Sequence, residues 1–157
     1  MLKEKLTQDL KEALKSGNAK KRLVVGMVLN SVKNRELQKR AKSGKEEALN
    51  DEEILEVIAS EVKKRKESIE SFKAGGREEL AQNEKEELDI LMTYMPEQMS
   101  EDAIREVVRQ TIKDMASPAE ALAKAGQVIG AVMAKLKGKA EGGLVSKIVK
   151  EELSKPA

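Results

Sequence analysis

A chain of 157 residues is long enough for one large domain or two small ones. Charged residues make up 37% of it and aromatics 1%, which suits long amphipathic helices and excludes a β-sandwich core built on aromatic and β-branched side chains. It has no cysteine and no histidine, so disulfides, thiolate chemistry, zinc–thiolate sites and histidine general bases are all excluded.

The net charge of +2 hides a segregated distribution. Residues 20–45 carry nine Lys or Arg against the single acid Glu36, a net of +8. Residues 46–106 carry nineteen Asp or Glu against eight Lys or Arg, a net of −11. Residues 135–150 return to +4, with five Lys and one Glu. Local sign decides partners more than the total does.

The start, Met1 to Lys5, lacks the apolar core of a signal peptide. The longest apolar run, Leu23 to Leu29, is too short to span a bilayer. A cytoplasmic protein without membrane contact is expected.

Leu2, Leu6, Leu10, Ala13 and Leu14 mark a first helix that Gly17-Asn18 ends. Lys20–Lys42 follows as a helix with a buried first half and a solvated, basic second half. The third helix opens on an Asn50/Glu53 capping box with Leu49 and Ile54 as a hydrophobic staple. Its apolar stripe runs through Ile58, Val62, Arg65, Ile69 and Phe72 to Gly75-Gly76. A fourth helix, from about Glu78 to Met95, turns Leu80, Leu88, Leu91, Met92 and Met95 inward, giving a long antiparallel hairpin with Gly75-Gly76 at its tip.

Pro96 ends that helix, because proline disfavours helical geometry in the residue before it. Pro96 to Ser100 is the expected domain boundary, with an N-terminal hairpin domain over 1–96 and a small C-terminal helical domain over 100–157. Ser100 caps a fifth helix through Ile104, Val107, Val108, Ile112 and Met115. Ser117-Pro118-Ala119-Glu120 reads as a further capping box with proline at the first helical position.

Val128, Ile129, Val132, Met133 and Leu136 then mark a helix, Gly138 to Gly143 a break, and Leu144, Val145, Ile148, Val149 and Leu153 a last helix. Gly138 is placed to terminate the first of the two. Gly126 and Gly130 lie four apart on one face, where a neighbouring helix is expected to approach closely. The predicted fold class is all-α.

No catalytic set is recognisable. Gly138 to Gly143 lacks the Gly-Lys-Ser/Thr ending of a phosphate loop. Glu84, Glu86, Glu87 and Asp89 read as a solvated acidic helix face and not as a metal site. Ser31, Ser68 and Ser146 have no histidine partner and read as polar helix-surface residues. No metal and no cofactor are expected. Lys135, Lys137, Lys139, Lys147 and Lys150 surround the glycine-rich break at Gly138. Basic side chains around such a turn, followed by a helix N-terminus, suit phosphate. Without aromatic stacking residues, such a patch reads backbone charge and shape and not single-stranded bases.

Several stretches together resemble the GatB/YqeY family. The strongest is Glu87-Leu88-Asp89-Ile90-Leu91-Met92-Thr93-Tyr94-Met95-Pro96-Glu97-Gln98-Met99-Ser100. Lys64-Arg65-Lys66-Glu67-Ser68-Ile69 is similar to the family's basic stretch before its hairpin tip. Gly126, Gly130, Met133 and Lys137-Gly138-Lys139-Ala140-Glu141-Gly142 are similar to its C-terminal glycine motif. Lys124-Ala125-Gly126-Gln127 departs from the family's usual Asp-Met-Gly-Lys, and Gly26-Met27 stands where a basic residue is common.

The resemblance implies an all-helical, two-domain protein akin to the tail of the B subunit of the tRNA-dependent amidotransferase. That kinship implies a tRNA-handling accessory module, with tRNA or a protein of the tRNA amidation system as partner. It carries with it the label of a carbon–nitrogen ligase using glutamine as amide donor, for which no independent catalytic residues are found. A protein-interaction module driven by the opposed charge of residues 20–45 and 46–106 is the alternative.

Overall fold

The computed structural model describes residues 1–115 and 117–155, with Pro118 described by its backbone alone. Among the described residues the chain forms eight α-helices and no strand. It divides into two compact units, Met1–Met95 and Pro96–Ala157.

The first unit holds α1 (Leu2–Ser16), α2 (Ala19–Ser43), α3 (Asp51–Ala74) and α4 (Glu78–Met92). Gly17 takes the left-handed conformation, φ 73°, that ends α1, and Asn18 caps α2 by accepting the Lys21 N–H at 3.1 Å. Asn18, expected only as part of the stop, is therefore also the next start. Val24, Val25, Val28 and Val32 are buried, and nothing in α2 beyond Val32 is.

The exposed half of α2 is tied down by charge. Lys39 meets Glu53 at 2.9 Å, Arg35 meets Glu56 at 3.3 Å and Arg40 meets Glu46 at 3.2 Å. Much of the opposed charge in the two segments is thus satisfied inside the unit.

The α3 capping box closes in both directions. Asn50 Oδ1 accepts the Glu53 N–H and Glu53 Oε2 accepts the Asn50 N–H, each at 2.9 Å. Leu49 and Ile54, the staple pair, lie in the same core cluster.

α3 and α4 pair along their length, and three expectations are corrected there. Leu80 is 43% exposed, while Ala81 faces inward at 2%. Ala81 and Leu88 are one heptad apart, so they share a face and Leu80 falls about 100° off it. Glu87 is no solvated acid. It is buried against Arg65, whose Nε donates to Glu87 Oε2 at 3.2 Å while its Nη1 donates to Glu61 Oε2 at 2.8 Å. Burial pulls the Glu61 carboxyl up, but hydrogen bonds from Lys64 and Arg65 outweigh it and leave the pKa below the ordinary value.

Finally, α4 stops at Met92 and not at Met95. The N–H groups of Thr93, Tyr94 and Met95 reach back only three residues, at 3.1–3.2 Å, so the chain tightens before Pro96. That turn buries the Tyr94 ring and brings its hydroxyl into a hydrogen bond with Asp9 of α1.

The second unit holds α5 (Glu101–Lys113), α6 (Pro118–Ala123), α7 (Ala125–Leu136) and α8 (Gly142–Ser154). Ser100 caps α5 and Ser117 caps α6, accepting the Ala103 and Glu120 N–H groups at 3.2 and 3.1 Å. Ile104, Val108, Val128, Val132, Val145 and Ile148 fill the core. Outside it, Arg105 binds Glu151 at 2.9 Å and Glu152 at 2.8 Å, and Arg109 Nε reaches Glu152 at 3.1 Å, clasping α5 to α8.

Candidate nucleic-acid interface

The turn between α7 and α8 is built from two successive left-handed residues. Lys137 has φ 42° and Gly138 has φ 81°. An L-residue costs about 1–2 kcal/mol in that region, so Gly138 relieves half of the strain that the reversal demands. The Lys137 N–H donates to the Met133 carbonyl at 3.1 Å and the Lys139 N–H to the Leu136 carbonyl at 2.9 Å, which closes α7.

The carbonyls of the turn are taken by the segment that opens the unit. Gln98 Nε2 donates to the Gly138 carbonyl at 3.1 Å and to the Pro96 carbonyl at 2.8 Å. The Met99 N–H donates to the Lys139 carbonyl at 2.8 Å. With its carbonyls turned into this strap and Ala140 buried, the turn leaves the side chains of Lys137 and Lys139 exposed.

Glycines 142 and 143, expected in the break, instead begin α8. Glu141 is the N-cap and makes no side-chain cap hydrogen bond, while Gly142 and Gly143 are exposed. The first turn of α8 therefore presents backbone N–H groups on an open surface, at the positive end of the helix dipole.

The six sequence-predicted residues divide into three groups. Lys137, Gly138 and Lys139 form the turn. Lys147 and Lys150 share the exposed face of α8, opposite the buried Val145, Ile148 and Val149. Lys147 has only a long contact, 4.0 Å, to Glu151, and Lys150 and Lys139 make no ion pair among the described residues. Lys135 turns toward α5, where it donates to Thr111 Oγ1 at 3.0 Å and lies 4.0 Å from Asp114.

Gly126 and Gly130 do not receive a neighbouring helix. A Cβ at either position would meet nothing within 4 Å. α7 buries Val128, Val132 and Leu136, and the glycines fall on the opposite, exposed face. Gln98 was not identified from the sequence as part of this site. Its partner lies forty residues away, and no spacing rule announces such a pair.

Among the described residues, no group of three Asp or Glu side chains is arranged to hold a metal ion, and no helix is long and apolar enough to cross a membrane.

A family model described as "Yqey-like protein" matches residues 3–153. The chain belongs to the YqeY-like family. Among curated proteins, this YqeY-like chain is similar to "Altered inheritance of mitochondria protein 41, mitochondrial". The Candida glabrata protein is 30% identical over 92 residues, covering 59% of this chain and 48% of the relative. The Eremothecium gossypii protein is 33% identical over 90 residues, covering 57% and 46%. The Saccharomyces cerevisiae protein is 32% identical over 90 residues with the same coverage. The YqeY-like chain thus spans about half the length of the curated relatives it matches.

Proposed function

We propose that this YqeY-like protein is a tRNA-handling accessory module that binds folded RNA through the α7–α8 turn. The observation that carries the reading is the pairing of exposed Lys137 and Lys139 with the uncapped, glycine-opened N-terminus of α8. Phosphate suits both halves of that arrangement, through charge and through backbone N–H donors. The unpaired Lys150 and the loosely held Lys147 extend the positive surface along α8. The choice of tRNA rests on the resemblance to the GatB/YqeY family and the amidotransferase tail that it implies. The reading keeps the cytoplasmic placement expected from the sequence, although the curated relatives are mitochondrial by name.

Filter binding of bulk tRNA at 50 and 200 mM salt tests it. Each neutralised phosphate contact should lower the steepness of the log–log salt dependence by about 1. Lys139→Gln with Lys150→Gln should therefore flatten the slope by about 2. A slope unchanged from the parent protein overturns the assignment of the site.

A further inference from the structure

The exposed side of α2 carries a feature that RNA binding does not use. Leu23, Met27, Asn30, Asn34, Leu37 and Ala41 are all exposed and follow one another at alternating spacings of four and three. That is the seam of a heptad repeat, the spacing at which one helix packs its side chains into another. Leu23 is 55%, Met27 42% and Leu37 53% exposed, so the described residues leave most of the seam open, Arg65 touching it at Met27, whose Sδ lies 3.8 Å from Arg65 Nη2. The buried Val25 and Val32 lie on the opposite side, against the core. In a chain whose residues are 37% charged, a five-turn helix face without a single charge between Leu23 and Ala41 calls for an occupant.

The charge beside the seam says which one. Arg22, Lys33 and Arg40 are spaced by eleven and seven residues, close to whole numbers of turns, and line one flank. Arg22 and Lys33 make no ion pair among the described residues, and Arg40 has only the exposed Glu46. Four other cations of α2 are engaged within the unit, Lys20 by Glu86, Lys21 by Asp9, Arg35 by Glu56 and Lys39 by Glu53. A second copy of α2 would bring another strongly basic helix to the seam. A helix with leucines on its inner face and glutamates on its flanks would match both the seam and its edge. Asn34, in the middle of the seam, would fix the register at some loss of affinity.

We propose that α2 is a docking helix for an acidic amphipathic helix of another protein, seated on Leu23, Met27 and Leu37 and flanked by Arg22, Lys33 and Arg40. The inference is independent of the RNA reading, since it uses no residue of the α7–α8 turn.

The test uses the full chain and two labelled synthetic peptides of three heptads. Both have leucine at the seam positions; one has glutamate on both flanks and the other lysine. Fluorescence anisotropy should show the glutamate peptide binding at least tenfold more tightly than the lysine peptide, and weakening as salt is raised. Leu37→Glu, at an exposed position, should keep the far-ultraviolet circular dichroism of the parent, lose at least tenfold in peptide affinity and leave tRNA affinity unchanged. Equal or absent binding of the two peptides overturns the proposal, as does full affinity in Leu37→Glu. A dimer in sedimentation equilibrium that Leu37→Glu dissolves would give the seam to a second copy instead. Loss of tRNA affinity in Leu37→Glu would give it to RNA.

Discussion

The Met99 N–H donates to the Lys139 carbonyl at 2.8 Å, joining two stretches that are forty residues apart in the chain. With Gln98 on the Gly138 carbonyl, it fastens the α7–α8 turn to the segment that opens the second unit. The turn is therefore held through its carbonyls, while Lys137 and Lys139 stay on the exposed side.

Two substitutions probe this arrangement. Gln98→Ala removes a donor to two carbonyls and should destabilise the protein by about 1 kcal/mol in urea unfolding. It should also speed hydrogen exchange at the Met99 amide, whereas unchanged exchange would show that the strap does not depend on Gln98. Gly138→Ala meets only an ordinary contact, Pro96 Cγ at 3.8 Å, so its cost comes from the backbone at φ 81°. That cost should be about 1–2 kcal/mol. A Tm equal to the parent's would show that the turn relaxes to another conformation.

Arg65 is held between two buried carboxylates, Glu61 and Glu87. Arg65→Leu strands both and should cost about 3–5 kcal/mol. Glu61→Leu, Arg65→Met and Glu87→Leu combined should recover most of that loss, because no charge is then left buried. Chemical denaturation of the single and triple variants separates the cost of breaking the cluster from its net worth. A triple variant as unstable as the single one would show the ionic set to be better than its apolar replacement.

Acid should loosen the second unit through Glu152. Hydrogen bonds from Lys155, Arg105 and Arg109 hold its carboxyl at about 2, against an ordinary value of 4.5. A depressed carboxylate pKa stabilises the fold above the unfolded value and loses that contribution as pH falls through the folded one. The loss should begin below pH 4.5 and be complete near 2, as followed by unfolding midpoints across that range. Glu152→Gln should make that part of the pH dependence disappear.

Tyr94 is the only tyrosine, and the chain has no tryptophan, so tyrosinate absorbance reports on one residue. Burial first, then the hydrogen bond to Asp9 and its charge, push the Tyr94 hydroxyl well above the ordinary value of 10.0. A group with a raised pKa contributes stability below its unfolded value and loses it as pH rises beyond. Tyrosinate should therefore appear only above pH 10 and together with loss of helicity. Titration at 10 in a fully helical protein would contradict the buried placement. Tyr94→Phe should cost about 1 kcal/mol by removing the bond to Asp9.

The helices and their ends were legible in the sequence because the rules that set them are short. Asn50 with Glu53, Ser100 and Ser117 each cap through a hydrogen bond spanning three residues, and a valine stripe repeats within one turn. The lysines of the α7–α8 region could be picked out for the same reason, as charge around a glycine-rich reversal. Partners chosen at longer range were not legible. Glu87 looks like any acid on a solvated face until Arg65, twenty-two residues earlier, is packed against it. Ala81 and not Leu80 faces inward because of how α3 and α4 meet, and Gly126 and Gly130 face solvent because α7 buries its other side. Asp9 finds Tyr94 across eighty-five residues, and Lys139 gives its carbonyl to Met99 across forty. Such pairings depend on the rotation and crossing of whole helices, and those are settled by the collective packing of the cores, which no local pattern of residues encodes.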